Sequence, residues 1–284
     1  MLLTITILTE IQHYTQQARK QNKTIGLVPT MGALHEGHLS LIKKAKEQCD
    51  IVIVSIFVNP TQFAPNEDFT QYPRNLEQDT KLAKSAGATI LFTPTAEEIY
   101  PKEYSTYITL ENLSTIYEGK IRPTHFRGVA TIVAKLFFLT QPHKAFFGQK
   151  DAQQCAVIKK MVEDLHLPIE IIIAPIIREK DGLAKSSRNI YLSPQERKDS
   201  TILYQSLELA KSLIEKGEID TKHLQQEIQK NILTKKNVEI DYIAFVHPTT
   251  FQEIHTIQKN IPTILILAVR FGKTRLLDNI VIIA

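Results

Sequence analysis

The residues IGLVPTMGALHEGHLSLIKKAKEQCDIVIVSIF at positions 25–57 decide the fold class of this sequence. Two short apolar runs, Ile25–Val28 and Ile51–Phe57, predict buried strands. Between them, the residues from Glu36 to Cys49 predict a helix with apolar residues on one face and lysines on the other. A strand, a helix and a second strand form a βαβ unit, which is right-handed almost without exception. The stretch therefore predicts a parallel sheet covered by helices.

The same alternation continues through the first 175 residues. Further strands are predicted at Thr89–Phe92, Ala145–Phe147 and Ile169–Ala174, and the opening MLLTITILTE is also typical of a strand. One intervening helix is predicted from apolar residues at the three-four spacing of a buried face, which are Val129, Ile132, Val133, Leu136 and Phe137.

The pattern changes after Pro175. Ser193, Pro194 and Glu196 predict a capping box that starts a long helix ending near Gly217. A second helix is predicted at 220–233, and alternation at 238–246 predicts a half-exposed strand. The sequence thus predicts an α/β fold with two domains: a Rossmann-like parallel sheet with helices on both faces at 1–177, and a smaller C-terminal α+β domain at 178–284.

Composition excludes several classes of protein. Of the 284 residues, 43% are hydrophobic and 23% charged, which is typical of a soluble globular chain and excludes disorder and low-complexity repeats. The net charge of +4 is spread without a basic block, so no nucleic-acid partner is expected. No apolar run approaches the ~20 residues that span a bilayer. Cys49 and Cys155 fit reduced core thiols. No Lys or Arg precedes Arg19 and the opening has no small-residue cleavage site, so no signal peptide is expected. We therefore expect a cytoplasmic protein.

Glycine is scarce, because only 10 of the 284 residues are glycine, about half of the usual share of about 7%. Five of the ten lie in four short polar segments, which makes these segments candidate sites. They are PTMGALHEGH at 29–38, RPTHFRGV at 122–129, FGQKDAQQ at 147–154 and DGLAKSSRN at 181–189.

The first segment joins a strand to a helix, where backbone N–H groups and the helix dipole form a site for an anion such as phosphate. His35 and His38 lie on one face of the first helical turn. Gly32 and Gly37 would let a ligand approach the backbone closely. The alternative is that the two histidines only cap or pack the helix. We favour function, because two histidines and two glycines share one turn.

The third and fourth segments also offer groups that suit phosphate. Lys150 and Asp151 follow a strand at the carboxyl edge of the sheet, where ligands bind, and Lys150 would be a counter-charge for a transferring phosphoryl group. Asp151 and Gln154 have a structural alternative, since their spacing is itself a capping box. Lys185–Arg188 offers hydroxyl groups and two cations to a polyphosphate, and its alternative is a solvated interdomain loop.

These segments carry a resemblance to a known family. HEGH at 35–38 resembles the HxGH signature of the nucleotidylyltransferase superfamily, and KSSRN at 185–189, at the start of the predicted C-terminal lid domain, resembles its KMSKS-type loop. FVNPTQF at 57–63, RPTHFRGV, FGQKDAQQ and SSRNIYLS resemble, in the same order, segments of the pantothenate synthetase family, the ATP-dependent pantoate:β-alanine ligases. The resemblance covers nearly the whole chain.

The resemblance implies a two-step reaction. Pantoate and ATP give pantoyl adenylate and pyrophosphate, and β-alanine then displaces AMP to give pantothenate, a coenzyme A precursor. It also implies Mg²⁺ carried on the triphosphate with no protein-bound metal, a homodimer, and no membrane or nucleic-acid partner.

The family's site residues match this sequence position by position. His38 matches the family's catalytic histidine. The negative charge that builds on phosphate and pyrophosphate oxygens suggests further catalytic roles for His35, Lys150, Ser186, Ser187 and Arg188. The resemblance also implies that one set of residues binds the nucleotide. This set is Met31, Gly32, Ala33, Leu34, His35, Glu36, Gly37, His38, Gly148, Gln149, Lys150, Asp151, Ile177, Lys185, Ser186, Ser187 and Arg188. The residues expected to bind the substrate pantoate are Gln62, Gln154, Met31 and Asn59. Gln62 is also expected to lie near β-alanine.

Two positions depart from the family pattern, and two alternative functions stay open. Lys185 stands where an apolar residue is expected, and Thr124 stands where RPGHF would have glycine. The alternatives are another HxGH nucleotidylyltransferase and a nucleotide-binding protein without activity. The polar segment from about Phe63 to Gln78, which contains Asn66, is predicted to be a mobile lid over the pantoyl adenylate.

Overall fold

The structure, a computed structural model, describes residues 2–65 and 67–284, so Asn66 of the predicted lid lies outside the described residues. Contacts between Cα atoms divide the chain into two compact units. The first comprises the residues up to Gly148 and Val157–Ala174, and the second comprises Gln149–Ala156 and Pro175–Ala284. These units differ from the predicted domains 1–177 and 178–284 at Pro175 and in the placement of Gln149–Ala156. The predicted domain bounds therefore stay a prediction.

The first unit is built on a parallel sheet. Its strands are β1 (Leu3–Ile5), β2 (Ile25–Thr30), β3 (Ile51–Ile56), β4 (Ile90–Phe92), β5 (Lys144–Gly148) and β6 (Glu170–Ala174). They lie in the order β1-β4-β3-β2-β5-β6. The five strands that were predicted with bounds are confirmed to within two residues at each end. Of the opening MLLTITILTE, only Leu3–Ile5 forms a strand, because a helix already begins at Leu8. The strand order reverses between β2 and β5. In open α/β sheets, ligands bind outside the carboxyl ends of the strands at such a point.

Helices connect these strands and cover the sheet. They are α1 (Leu8–Lys20), α2 (Glu36–Gln48), α3 (Leu76–Ala86), α4 (Ala96–Ile99), α5 (Glu118–Ile121), α6 (His125–Thr140) and α7 (Ala152–Asp164). The apolar face predicted for α6 is confirmed, because all five of its residues are at most 5% exposed. Burial of such a face, rather than intrinsic helix propensity, provides most of the stability of a helix of this length.

The second unit is the predicted α+β arrangement. Strands β7 (Val238–Val246), β8 (Thr263–Phe271) and β9 (Thr274–Ile282) form an antiparallel sheet in chain order. The sheet shares a core with helices α9 (Ile202–Glu215) and α10 (Thr221–Ile232). The predicted fold class, a Rossmann-like α/β sheet plus a smaller α+β unit, is confirmed.

The predicted long helix from Ser193 to Gly217 is wrong in one respect. Its capping box is present, since Ser193 N–H donates to Glu196 and Glu196 N–H donates back to Ser193. However, the helix ends after six residues, as α8 (Pro194–Asp199), before α9 begins. The hydroxyl of Ser200 donates to the carbonyl of Arg197 at 2.9 Å, and the next hydroxyl bonds in the same way. Such side-chain bonds to preceding carbonyls compete with the helical pattern.

Candidate active site

The turn between β2 and α2 is held by a carboxylate from α3. Gly32 and Ala33 have left-handed backbone conformations, with φ of +85° and +50°. Asp79, which is 3% exposed, accepts the Ala33 N–H at 2.9 Å and the Leu34 N–H at 2.8 Å. A Cβ on Gly32 would lie 2.9 Å from Asp79 Oδ2. Glycine is therefore needed at position 32 because the carboxylate approaches so closely.

The two histidines of the HxGH segment cap α2 with the same ring atom. His35 Nδ1 accepts the Gly37 N–H at 3.2 Å, and His38 Nδ1 accepts the His35 N–H at 3.3 Å. Because Nδ1 is the acceptor in each ring, each neutral imidazole carries its proton on Nε2. The capping alternative is thus correct for Nδ1 and is compatible with a functional role for Nε2. The rings lie together, with centroids 4.1 Å apart.

The close approaches predicted for a ligand at Gly32 and Gly37 are made by protein atoms. Asp79 approaches Gly32, and a Cβ on Gly37 would lie 2.9 Å from Cε1 of His35. By contrast, a Cβ on Gly148 at the end of β5 would meet, apart from its chain neighbours, no atom of the described residues within 4 Å. Gly148 is therefore the one of these three whose close surroundings do not explain the glycine.

The predicted substrate-binding residues of the first unit contact one another. Gln62, only 8% exposed, donates from Nε2 to Met31 Sδ at 3.1 Å and accepts the Asn59 side-chain amide at 3.0 Å. Tyr100 donates its hydroxyl to Asn59 Oδ1 at 2.9 Å. Burial raises the pKa of Tyr100 to about 12, so this hydroxyl stays protonated at neutral pH. Gln62 is thus a buried side chain held by two hydrogen bonds rather than a solvated loop residue.

Helix α6 presses against the short turn Pro60–Gln62 that carries these residues. A Cβ on Gly128 would lie 2.5 Å from the carbonyl oxygen of Thr61, so only glycine permits this packing. The Asn59 side chain also donates to the Gly128 carbonyl at 3.1 Å. The glycine of the RPTHFRGV segment therefore acts by fixing Asn59 and Gln62.

Arg122 and His125 hold the same turn from the start of α6. The carbonyl oxygen of Gln62 lies 3.3 Å from Arg122 Nη2 and 3.0 Å from His125 Nδ1. Arg122 also donates to both oxygens of Glu67 at 2.6 Å. Burial, and secondarily the Arg122 charge, lowers the pKa of His125 to about 4. Thr124 has φ of −94°, which any residue adopts, so its departure from glycine leaves the local backbone intact.

In the second unit, the residues before α7 form a short 3₁₀ turn, Gln149–Asp151. The side-chain amide of Asn279 donates to the carbonyls of Gln149 and Lys150 at 3.0 and 2.9 Å. Lys150 Nζ lies 3.7 Å from Asp151 Oδ1. Gln154 is half-buried and is the third residue of α7. Its capping role and its substrate role both stay predictions.

The KMSKS-like loop follows a hairpin of the second unit. Arg178 bridges to Ala184, and the Lys185 N–H donates to the carbonyl of Ile177 at 2.9 Å. The Lys185 ammonium lies 3.1 Å from a carboxylate oxygen of Glu179, so this unexpected lysine has a local counter-charge. Ser186 caps the 3₁₀ turn Ser187–Tyr191 by accepting the Arg188 N–H at 3.3 Å.

The structure brings several predicted residues together within each unit. The first unit joins His35 to His38, and Met31 and Asn59 to Gln62, whereas the second joins Ile177 to Lys185. Sequence reasoning missed the residues that hold these segments, which are Asp79, Asn279 and Asp278, whose carboxylate accepts the Arg178 guanidinium at 2.6 and 2.9 Å. The only sequence signal was weak, namely adjacent polar residues at 278–279 inside the apolar strand pattern of 274–282.

Among residues 2–65 and 67–284, no group of three or more His, Cys, Asp or Glu side chains is placed to hold a metal ion. In the same part of the chain, no helix has the length and apolarity needed to cross a membrane.

Comparisons with known proteins agree with the resemblance. Residues 3–281 match the family model of pantoate-beta-alanine ligase. Over 278 residues, 98% of each chain, the sequence is 51% identical to the pantothenate synthetase of Acetivibrio thermocellus. The crystal structure of pantothenate synthetase from Thermus thermophilus superposes with a TM-score of 0.92 at 40% identity, covering 98% of both chains. A pantoate-beta-alanine ligase from Francisella tularensis, complexed with beta-gamma ATP and beta-alanine, gives 0.80 at 36% identity, covering 99% of this chain and 97% of its own. This chain belongs to the pantoate-beta-alanine ligase family.

Proposed function

We propose that this ligase forms pantothenate in two steps carried by the residues predicted from its sequence. A carboxylate oxygen of (R)-pantoate attacks the α-phosphorus of ATP, and the bond to pyrophosphate breaks. The amine nitrogen of β-alanine then attacks the acyl carbon of the adenylate, the bond to AMP breaks, and the nitrogen loses a proton. The observation that carries this reaction is the family match across residues 3–281. The ATP and β-alanine complex of the Francisella tularensis relative supports two of the three substrates.

His35 and His38 serve the first step as hydrogen-bond donors. Attack at phosphorus spreads negative charge over the phosphate oxygens, so catalysis consists mainly of positioning and of donors placed in advance. The two Nδ1 atoms are engaged by backbone N–H groups, which directs the proton of each neutral ring to Nε2. Each Nε2–H is then a donor for an anionic oxygen. The nucleotide-binding stretch Met31–His38 leads into the first turn of α2, and a helix N-terminus also suits an anion.

The side chains of Gln62, Asn59, Met31 and Gln154 are assigned to pantoate, as the family resemblance implies. Amide groups suit pantoate because they bind hydroxyl and carboxylate oxygens without adding a charge that titrates. The buried contacts of Gln62 with Asn59 and Met31 support this role, because they fix the amide before substrate arrives. Preorganised contacts cost less conformational entropy on binding.

Lys150, Ser186, Ser187 and Arg188 stabilise the charge on the departing pyrophosphate, and Gly148–Asp151, Ile177 and Lys185 complete the nucleotide contacts. Cations and hydroxyl donors form strong charge-assisted bonds to phosphate. Mg²⁺ enters on the triphosphate of ATP and adds counter-charge there. The enzyme acts as a homodimer in the cytoplasm, where Cys49 and Cys155, which are not joined in a disulfide, stay reduced.

Pantoate-dependent exchange of labelled pyrophosphate into ATP, measured without β-alanine, tests the proposal. We expect exchange with pantoate and none without it, and AMP with pyrophosphate as products once β-alanine is added. His38→Ala should lower the exchange rate by roughly 100-fold or more, the usual effect of losing one preorganised donor. His13→Ala, at an exposed histidine of α1, is the matched control and should leave the rate unchanged.

Two results would contradict the proposal. Release of ADP and phosphate would indicate an acyl phosphate rather than an adenylate. A stable adenylylated end product would instead identify the alternative, a nucleotidylyltransferase.

A further inference from the structure

Two adjacent polar residues, Asp278 and Asn279, occupy β9 in the second unit and are each 2% exposed. We infer that they are positioning residues of the nucleotide site, which fix the backbone at Lys150 and the hairpin leading to Lys185–Arg188. This inference rests on the proposed function, because it concerns residues to which phosphate binding is assigned.

The Asn279 side chain forms hydrogen bonds with the 3₁₀ turn before α7. Both N–H groups of its amide are used, with Gln149 O at 3.0 Å and Lys150 O at 2.9 Å. Its oxygen accepts the side-chain amide of Gln149 at 3.1 Å. Three bonds from one short side chain define the position of residues 149 and 150. A carboxylate of the same shape could not make the two donations.

The Asp278 carboxylate stabilises the hairpin through its ion pair with Arg178. The guanidinium donates to both carboxylate oxygens, at 2.6 and 2.9 Å, and also to the Gly182 carbonyl at 3.0 Å. Its plane lies over the ring of Tyr204, with Cζ 4.6 Å from the centroid. Because Arg178 also bridges to Ala184, it is held at the base of the hairpin.

The contacts of Asn279 and those of Asp278 are connected to each other. Asp278 accepts the Asn279 N–H at 2.8 Å, and Arg178 also donates to the Asn279 carbonyl at 3.3 Å. The backbone at Lys150 and the hairpin before Lys185 are therefore fixed by neighbouring residues of one strand.

The strand itself does not need these side chains. Asp278 and Asn279 pair with Leu267 and Ile266 of β8 through the backbone. Asp278 takes a place in the alternation between Leu276 and Ile280, whose side chains pack in the core. A buried ion pair of this kind is often less stabilising than apolar residues of similar volume. A polar choice that breaks a local rule is typical of functional sites.

The test compares Asn279→Ala with a control in the same sheet. Asp241→Asn removes a charge that pairs with Arg270 and Arg275 across β7–β9. We expect Asn279→Ala to lower kcat/KM for ATP in the exchange assay by roughly 10- to 100-fold, as a small misplacement of a catalytic group does. KM for pantoate should stay within about twofold. Asp241→Asn should lower the melting temperature without changing either constant.

A double-mutant cycle separates positioning from stability. If Asn279 acts through Lys150, the variant Asn279→Ala with Lys150→Ala should be no slower than Lys150→Ala alone. Additive losses, or unchanged ATP kinetics in folded Asn279→Ala, would overturn the inference. Unchanged exchange in Lys150→Ala would instead overturn the assigned role of Lys150 and the inference with it. Asn279→Ser, which keeps one donor, replaces the alanine variant if that fails to fold and should show a smaller loss of the same kind.

Discussion

The replacement Asp79→Asn tests whether a buried carboxylate shapes the turn between β2 and α2. The change preserves size and leaves one oxygen to accept a backbone N–H. The other position becomes an NH₂ group, which faces the N–H of Ala33 or Leu34 as donor against donor. One hydrogen bond is lost and one buried N–H loses its partner.

The geometry sets the expected magnitude. A hydrogen bond to a charged acceptor contributes about 1.5–3 kcal/mol, and an unsatisfied buried donor costs about 1–3 kcal/mol. We therefore expect the free energy of unfolding to fall by about 2–4 kcal/mol. Ala33 also holds a left-handed conformation that costs about 1–2 kcal/mol and is sustained by this contact. Relaxation of the turn should raise KM for ATP roughly tenfold, because the nucleotide site loses its preset shape.

Urea unfolding and the pyrophosphate-exchange assay measure the two effects. Glu77→Gln is the control in the same turn of α3, because Glu77 is 81% exposed and pairs only at the surface with Lys81. It should change the free energy of unfolding by less than about 0.5 kcal/mol. If Asp79→Asn proves as stable as this control and binds ATP normally, the reasoning is refuted.

Three further predictions concern Gln154, His125 and the lid. Gln154→Ala should strongly lower kcat/KM for pantoate with little effect on melting temperature, whereas a lower melting temperature with unchanged pantoate kinetics would show that the glutamine only caps α7. Folding lowers the pKa of His125 from about 6.5 in the unfolded chain to about 4. The neutral ring therefore contributes stability that is fully present above pH 6.5 and is lost as the pH falls towards 4. Urea unfolding at pH 7.5 and pH 5 should show this loss, and His125→Gln should reduce it; an equal loss in the variant would contradict the assignment. Hydrogen exchange in the predicted lid should slow when ATP and pantoate are added, because closure would exclude water from the adenylate, and equal protection in both states would exclude a lid.

The sequence by itself determined most of the strands, several helices and the family. Strands such as β2 and β3 and the start of α2 depend on hydrophobic period and on capping residues within a few positions, so local patterns predicted them. The same holds for the Ser193–Glu196 capping box. The histidines of HEGH were placed correctly at a helix N-terminus because strand-to-helix turns have a short-range signature.

Tertiary structure alone decided which groups hold the site. Asp79 reaches Ala33 across 46 residues, and Asn279 reaches Lys150 across 129, so no local pattern could reveal either contact. The structure also decided that Gly32 and Gly37 accommodate Asp79 and His35, and that Gly128 permits α6 to touch the turn at Gln62. The physical reason is that hydrogen-bond partners of a buried polar group are chosen by three-dimensional proximity, whereas strand and helix formation respond to the order of neighbouring residues.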